Sequence, residues 1–577
     1  MKQLIVLTFF TFGLNSYAQE AFITKWKTDN KGSSCDSCVE IPTEGTGYGY
    51  DVDWDNDGIY DEFFTGDAFH DYGQPGEYTI AIKGNFPRIY FDDWNGAKES
   101  QKIIEIIQWG EIEWTSFRKA FKGCEFLTIN ATDAPDLSQV TDLSEMFSGA
   151  MILDTDFNSW DVSTIINMSA MFNYAMTFNG DISGWDVSSV TDMSDMFVRA
   201  KSFNSEISQW DVSSVTNMEE MFKIAESFNM PLNNWDVSGV RNMRSMFEDA
   251  RSFNQPINNW NTSNVVVMWA MFRRATVFNQ DLNNWNLSKV TDMSSMFSGA
   301  SRFNGDISMW DMSNIDDMSN MFMNAFDFNS NINLWDVSNV EDMNRMFQSA
   351  TTFNSELNNW NTSKVKSMVQ MFENAESFNS DISSWDVSNT TILTFMFNEA
   401  SAFNFSLGEW SLENIIGSGN STGLDHMLDN SGMSPITYQS TLDGWSSQNI
   451  IPQNIILGAE NLFYCEEESR SLLFQNGWII NGDKLIDEVT QCTSSTSNTS
   501  QLSVMLSPNP SNGVVTISFD SHINFDISMC NLERIVLHKN TNLSNSYSLD
   551  LSDVASGIYL ISIITQDGIV TKRIVKQ

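Results

Sequence analysis

At 577 residues the chain exceeds what one hydrophobic core spans, so several domains or a repeat array are expected. Its hydrophobic content of 41% is ordinary for a globular protein and excludes wholesale disorder. The 31 Lys+Arg against 74 Asp+Glu leave a formal charge of −43, a surface that repels nucleic acid and anionic lipid and favours cations or basic partners.

Residues 1–18 read as a secretory signal peptide. Lys2 supplies the positive start, Leu4 to Leu14 the apolar stretch, and Ser16-Tyr17-Ala18 the small-x-small cleavage site. The apolar run is too short for a transmembrane helix, and no other segment is long and apolar enough for one.

Residues 19–103 are predicted to form an N-terminal β domain, because Tyr48 to Asp55 and Tyr78 to Ile82 alternate in the manner of strands. The stretch D-W-D-N-D-G-I-Y-D from Asp53, followed by His70-Asp71-Tyr72 and Pro75 to Thr79, resembles a PKD-type β-sandwich and implies that fold. Asp53, Asp55 and Asp57, with Asp61 beyond them, match the opening of a calcium loop, D-x-D-x-D-G. Phe64 stands where such a loop needs its bidentate Glu, so a plain acidic turn is the alternative. Cys35-x-x-Cys38 has no second pair nearby, and in an oxidising compartment it is expected to close a local disulfide in preference to binding zinc.

Residues 104–417 carry internal repeats. Tryptophans recur every 25 residues from Trp160 to Trp410, and the unit around Trp185 reads F-N-G-D-I-S-G-W-D-V-S-S-V-T-D-M-S-D-M-F-V-R-A. Worn copies around Pro135 and Trp109 precede them, as the end of an array requires. Met193, Met196, Phe197 and Ala200 fall on one face of a short helix, capped by Thr191 or Asp192. The spacing from Ile182 to Val190 predicts a short strand, with Trp185 and Val187 inward and Gly184, Asp186 and Ser188 outward. The expected architecture of this region is thus a leucine-rich-repeat-like α/β solenoid, one strand and one helix per 25 residues, and the resemblances of the two ends, the PKD type above and the one at the C-terminus given below, imply flanking N-terminal and C-terminal β-sandwich domains.

The Trp and Met columns read as core, Met filling gaps around the indole. Trp269 lies outside the column and is expected to be exposed. The outward column of Asp161, Asp186, Asp211, Asp236, Asp311, Asp336 and Asp386 has two readings. Each Asp accepts hydrogen bonds in its own turn, or the ladder binds Ca²⁺ or a basic ligand. Stacked carboxylates are expected to raise one another's pKa unless donors or cations compensate. Asn261, Asn286 and Asn361 interrupt the column, keeping hydrogen bonding without charge, and weigh toward the local reading. Residues that break the repeat, Arg241, Arg244, Arg273, Arg274, Trp269 and Leu334, are where a specific ligand is expected.

The units resemble those of BspA-like surface proteins, W-D-V-S-x-V-T-x-M-x-x-M-F, over Trp109 to Trp410. That resemblance implies adhesion to a protein or glycan ligand. Residues 418–492, with Leu428 to Met433 and Gly444-Trp445, look like that family's C-terminal cap, and Cys465 and Cys492 resemble its paired cysteines, implying a disulfide. A Ser/Thr-rich linker, 493–503, leads to residues 504–577. There Leu506-Ser507-Pro508-Asn509-Pro510, Val554 to Leu560 and Lys572 to Lys576 resemble the type A sorting domain of the type IX secretion system, whose machinery would be a partner.

His70, His426, His522 and His538 are scattered, and no H-E-x-x-H, G-x-S-x-G or phosphate loop is present. The expected function is therefore non-catalytic: a secreted or surface adhesin, with a calcium-stabilised matrix component and a cryptic hydrolase as alternatives. No cofactor is expected beyond a Ca²⁺ ion.

Overall fold

The computed structural model describes residues 20–91, 99–416, 423–486, 492, 504–507, 513–519, 524–530, 536–544, 546–565 and 568–576. The signal-like segment 1–18 and the linker 493–503 lie outside them. Two units are resolved by their internal contacts, Met1–Asp487 and Glu488–Gln577.

The first unit opens with strands β1 (Phe22–Lys27), β2 (Cys38–Ile41), β3 (Gly49–Asp53), β4 (Glu62–Phe64), β5 (Ala68–Asp71), β6 (Glu77–Asn85), β7 (Ile103–Gln108) and β8 (Thr128–Ile129). Six of them form a mixed sheet in the order β4-β3-β6-β1-β7-β8, and β2 pairs separately with β5. Strand β1 alternates buried and half-buried residues, placing Phe22, Thr24 and Trp26 in the core. Phe22 stacks on Trp109 and meets Trp114 edge-on, so the sheet and the repeats share one core. Near the start of β7, the buried Lys102 ammonium lies 3.5 Å from Glu99 and donates to Ser34 Oγ and to the carbonyls of Ser34, Cys35 and Cys38. Glu99 accepts from the backbone of Ser33, Ser34 and Glu40, so this buried pair is fully partnered.

The repeat region corrects the expected architecture. It is not an α/β solenoid: among the described residues the only α-helices are α1 (Pro435–Ser446) and α2 (Glu467–Gln475), both beyond the array, and no unit contains a strand at Trp185–Val187. Each unit is instead a chain of tight turns, tied to the next by single-residue parallel bridges such as Asp192↔Asn217 and Asn217↔Asn242.

The reason lies in the backbone. Asp195 and Arg199 have φ of 58° and 59°, and equivalent left-handed residues recur through the array, among them Ile224, Ser295, Ser349 and Phe395. Two left-handed residues four apart cannot continue a right-handed helix. The N–H groups of Met193, Asp195, Phe197 and Arg199 cross to carbonyls of the following unit at 2.8–3.0 Å, while those of Met196, Val198 and Ala200 turn back three residues. Every second donor therefore stitches units together and the others close turns.

The predicted core nevertheless faces inward: Trp185, Val187, Met193, Met196, Phe197 and Ala200 are all buried. Phe172, Phe197, Phe222 and Phe247 stack at 5.6–5.8 Å between ring centres. From Trp185 to Trp410 each indole of the series also donates to a carbonyl 28 residues back, as Trp185 does to Phe157 and Trp260 to Leu232, at 2.8 and 2.9 Å. This buried polar tip is satisfied in unit after unit.

Helix α1 is capped by Ser434, whose hydroxyl accepts from Thr437 N–H. It lies close against the last unit, since a Cβ on Gly444 would come 2.4 Å from Gly408 Cα. Its Trp445 takes the next place in the tryptophan series, donating to Leu407 at 2.8 Å. Strands β9 (Ile456–Gly458) and β11 (Ile479–Asn481) pair in parallel, and β10 (Phe463–Tyr464) pairs with β12 (Lys484–Leu485). Arg470 on α2 grips the buried Asp483 carboxylate through two hydrogen bonds of 2.9 and 2.8 Å.

The second unit comprises β13 (Val504–Ser507), β14 (Val514–Phe519), β15 (Asn524–Cys530), β16 (Val536–Ser544), β17 (Ser546–Asp550), β18 (Gly557–Thr565) and β19 (Gly568–Lys576). They form two antiparallel sheets, β13-β14-β17 and β16-β15-β18-β19. Val515, Ile517 and Leu549 from one sheet join Phe525, Ile527, Ile561 and Ile563 from the other in a single core.

Candidate functional site on the outward face of the repeats

The outward aspartates sit where the sequence placed them, exposed beside the buried tryptophans. Each is bound into its own turn. Asp161 and Asp186 accept from the N–H and hydroxyl of the serine two residues on, and Asp211, Asp236, Asp311, Asp336 and Asp386 accept its N–H. Asn261, Asn286 and Asn361 make the same bond with their amide oxygens. The Ser hydroxyl and backbone donors hold Asp161, Asp211 and Asp311 below the usual carboxylate range. At these three positions the Ser donors supply the compensation that stacked carboxylates need.

Three of the four repeat-breaking cations, Arg244, Arg273 and Arg274, are paired with carboxylates. Arg244 reaches Glu219 and, at 2.7 Å, Glu220, and its guanidinium lies 4.7 Å from the centre of the Trp269 ring. Trp269 is consequently half-buried, not exposed as expected. Arg273 lies 3.4 Å from Glu248, and Arg274 lies 3.6 Å from Asp249. Lys223 joins Glu220 to Glu248. These charges link neighbouring units. Asp195 faces the same cluster, and burial with the nearby Glu220 and Glu219 pushes its carboxyl up to about 6. Arg241 is exposed, and so is Leu334, next to Met309 one unit earlier; the two are 61% and 73% accessible in a column otherwise polar or glycine.

In the N-terminal domain, carboxylate oxygens of Asp53, Asp55 and Asp61 lie within 4.8 Å of one another. Asp57 turns instead to the N–H of Ile59 at 2.8 Å, and Asp53 accepts from the N–H groups of Asp57 and Gly58. Desolvation, reinforced by Asp57, Asp53 and Asp61, raises the Asp55 carboxyl. Cys35 and Cys38 form the expected disulfide, with Cα atoms 4.9 Å apart. Cys465 and Cys492 are each disulfide-bonded.

Sequence reasoning missed an asparagine ladder. From Asn179 to Asn404, each side-chain carbonyl accepts the backbone N–H of the asparagine 25 residues on, at 2.7–2.9 Å. Its signal was present as the F-N pair that recurs every 25 residues from Phe178-Asn179 to Phe403-Asn404.

Three successive matches to the family model "Mycoplasma protein of unknown function, DUF285" cover residues 115–235, 225–333 and 317–423, together more than half of the chain. The chain belongs to this family. The DUF285 repeats are thus the stacked turns described above. Residues 506–577 match the secretion system C-terminal sorting domain. That match fits export by the type IX machinery to the cell surface or the outside, and no helix among the described residues is long and apolar enough to cross a membrane. No curated protein matches the chain significantly.

Proposed function

We propose that this DUF285 protein is a non-catalytic adhesin that presents its acidic repeat face to a protein or glycan ligand. The observation that carries the reading is the sorting domain placed after a repeat array, which delivers the array outside the cell. The array's side-chain chemistry agrees. Turn donors favour the ionised form of the outward Asp161, Asp211 and Asp311, which suits charge presentation and opposes their use as general acids. The sequence likeness to BspA-like surface proteins adds support from their adhesive role. Labelled full-length chain, titrated onto immobilised extracellular-matrix proteins and glycans, should bind saturably, and binding to basic partners should weaken with salt. Unsaturable or absent binding on every surface would sink the reading.

A second reading, a calcium-stabilised surface component, is favoured by the convergence of Asp53, Asp55 and Asp61. Millimolar Ca²⁺ should then raise the melting temperature, and Asp53→Asn should abolish the rise.

A further inference from the structure

We infer that the repeat column carries a binding site for a neutral sugar unit at Phe405. The inference rests on the adhesive reading and specifies the ligand class.

Phe405 breaks its column. The equivalent positions are Gly180, Ser205, Met230, Gln255, Gln280, Gly305, Ser330, Ser355 and Ser380. The ring is only partly buried, resting on the core, and walls a cleft of about 330 Å³. That volume lies at the lower end of ordinary small-ligand pockets and accommodates a sugar ring.

The other walls carry planar polar groups of both kinds. Asn354 and Asn379 belong to the asparagine ladder, which uses only their carbonyl oxygens. The Asn358 carbonyl likewise accepts from Asn333. Among the described residues, the NH₂ groups of these three asparagines have no protein acceptor, so each remains a donor for a ligand. Glu356 and Asp381 are exposed acceptors, and Asp381 commits a single oxygen to Ser383.

Neighbouring donors and acceptors match vicinal hydroxyls, which both donate and accept. The aromatic wall offers its face to the apolar C–H side of a pyranose ring. The lining holds no Lys or Arg, which argues against an anionic ligand.

The test uses the full-length chain with methyl glycosides of glucose, galactose, mannose and N-acetylglucosamine, and their β-linked oligosaccharides. Saturation-transfer NMR and calorimetry are the readouts. At least one probe should bind saturably. Phe405→Ser, which restores the common residue of the column, should weaken binding roughly tenfold or more while the chain stays folded with a modestly lower melting temperature. Glu356→Gln should weaken binding without altering the fold. Absence of binding by every probe, or equal binding by parent and both variants, would overturn the site. The same preparations, assayed on matrix surfaces, separate the two ideas: saturable adhesion without sugar binding overturns this site alone, and loss of both overturns the adhesive reading as well.

Discussion

Replacing Trp260 with phenylalanine tests whether the buried indole N–H bonds hold the stack together. Trp260 is 2% exposed and donates to the Leu232 carbonyl at 2.9 Å, with Trp285 stacked at 6.3 Å. Phenylalanine preserves an aromatic ring but removes the donor, leaving a carbonyl unpaired in a dry core at a cost of about 1–3 kcal/mol. The smaller ring also gives up roughly two carbons of buried volume, about 1.5 kcal/mol. Together these predict a local destabilisation of about 2.5–4.5 kcal/mol. Because repeats interact chiefly with their neighbours, the loss should concentrate around residues 232–285. Native-state hydrogen exchange reads it as faster amide exchange there, with distant units little changed. A loss below about 1 kcal/mol would refute the claim that the indole bond matters. Uniform acceleration along the array would refute the nearest-neighbour account.

Asp195→Asn should stabilise the protein at pH 8 and have little effect near pH 4. The folded pKa of about 6 exceeds the unfolded value, so native stability falls as pH rises through that interval, and the substitution removes the penalty. Allowing for partial exposure, about 1–2 kcal/mol is expected, read from denaturant midpoints at the two pH values. Asp211→Asn should leave the melting temperature nearly unchanged, whereas Asp211→Ala should cost about 1 kcal/mol by removing the acceptor of the Ser213 N–H. Ser349→Gly should stabilise by about 0.5–1 kcal/mol, because Ser349 has φ of 58° in a column where Gly149 and Gly299 also occur. Gly444→Ala should destabilise by about 1–3 kcal/mol, read as a lower melting temperature, since its methyl would strike Gly408.

The inward residues were legible because period and hydrophobicity report burial, and Trp185, Met193 and Phe197 are buried as read. Their secondary structure was not legible. The i, i+3, i+4 spacing fits a helix equally well as consecutive tight turns, and the residues at positive φ give no warning: Ile224, Phe395 and Arg199 are ordinarily poor in that conformation. Inter-unit hydrogen bonds, invisible in one unit's sequence, hold them there. The same blindness affected the candidate ligand residues. Arg244 and Arg273 break the repeat, but their acidic partners lie on the preceding unit, about 25 residues away, and only the stack brings them together. The turn role of the aspartates was readable because donor and acceptor are two residues apart. The cleft at Phe405 needed three-dimensional walls before its odd residue acquired a meaning.

The asparagine ladder makes each unit both the recipient of a bond from one neighbour and the giver of the same bond to the other. Removing or duplicating one 25-residue module would leave the two flanking bonds to re-form between equivalent partners. Copy number is thus a structural variable that can change by whole steps without redesigning either end. Each step would move the cap relative to the N-terminal sheet by about one strand spacing, roughly 4.8 Å. The length of the array could be tuned genetically by gain or loss of whole repeat units, while the contacts that end the array stayed as they are.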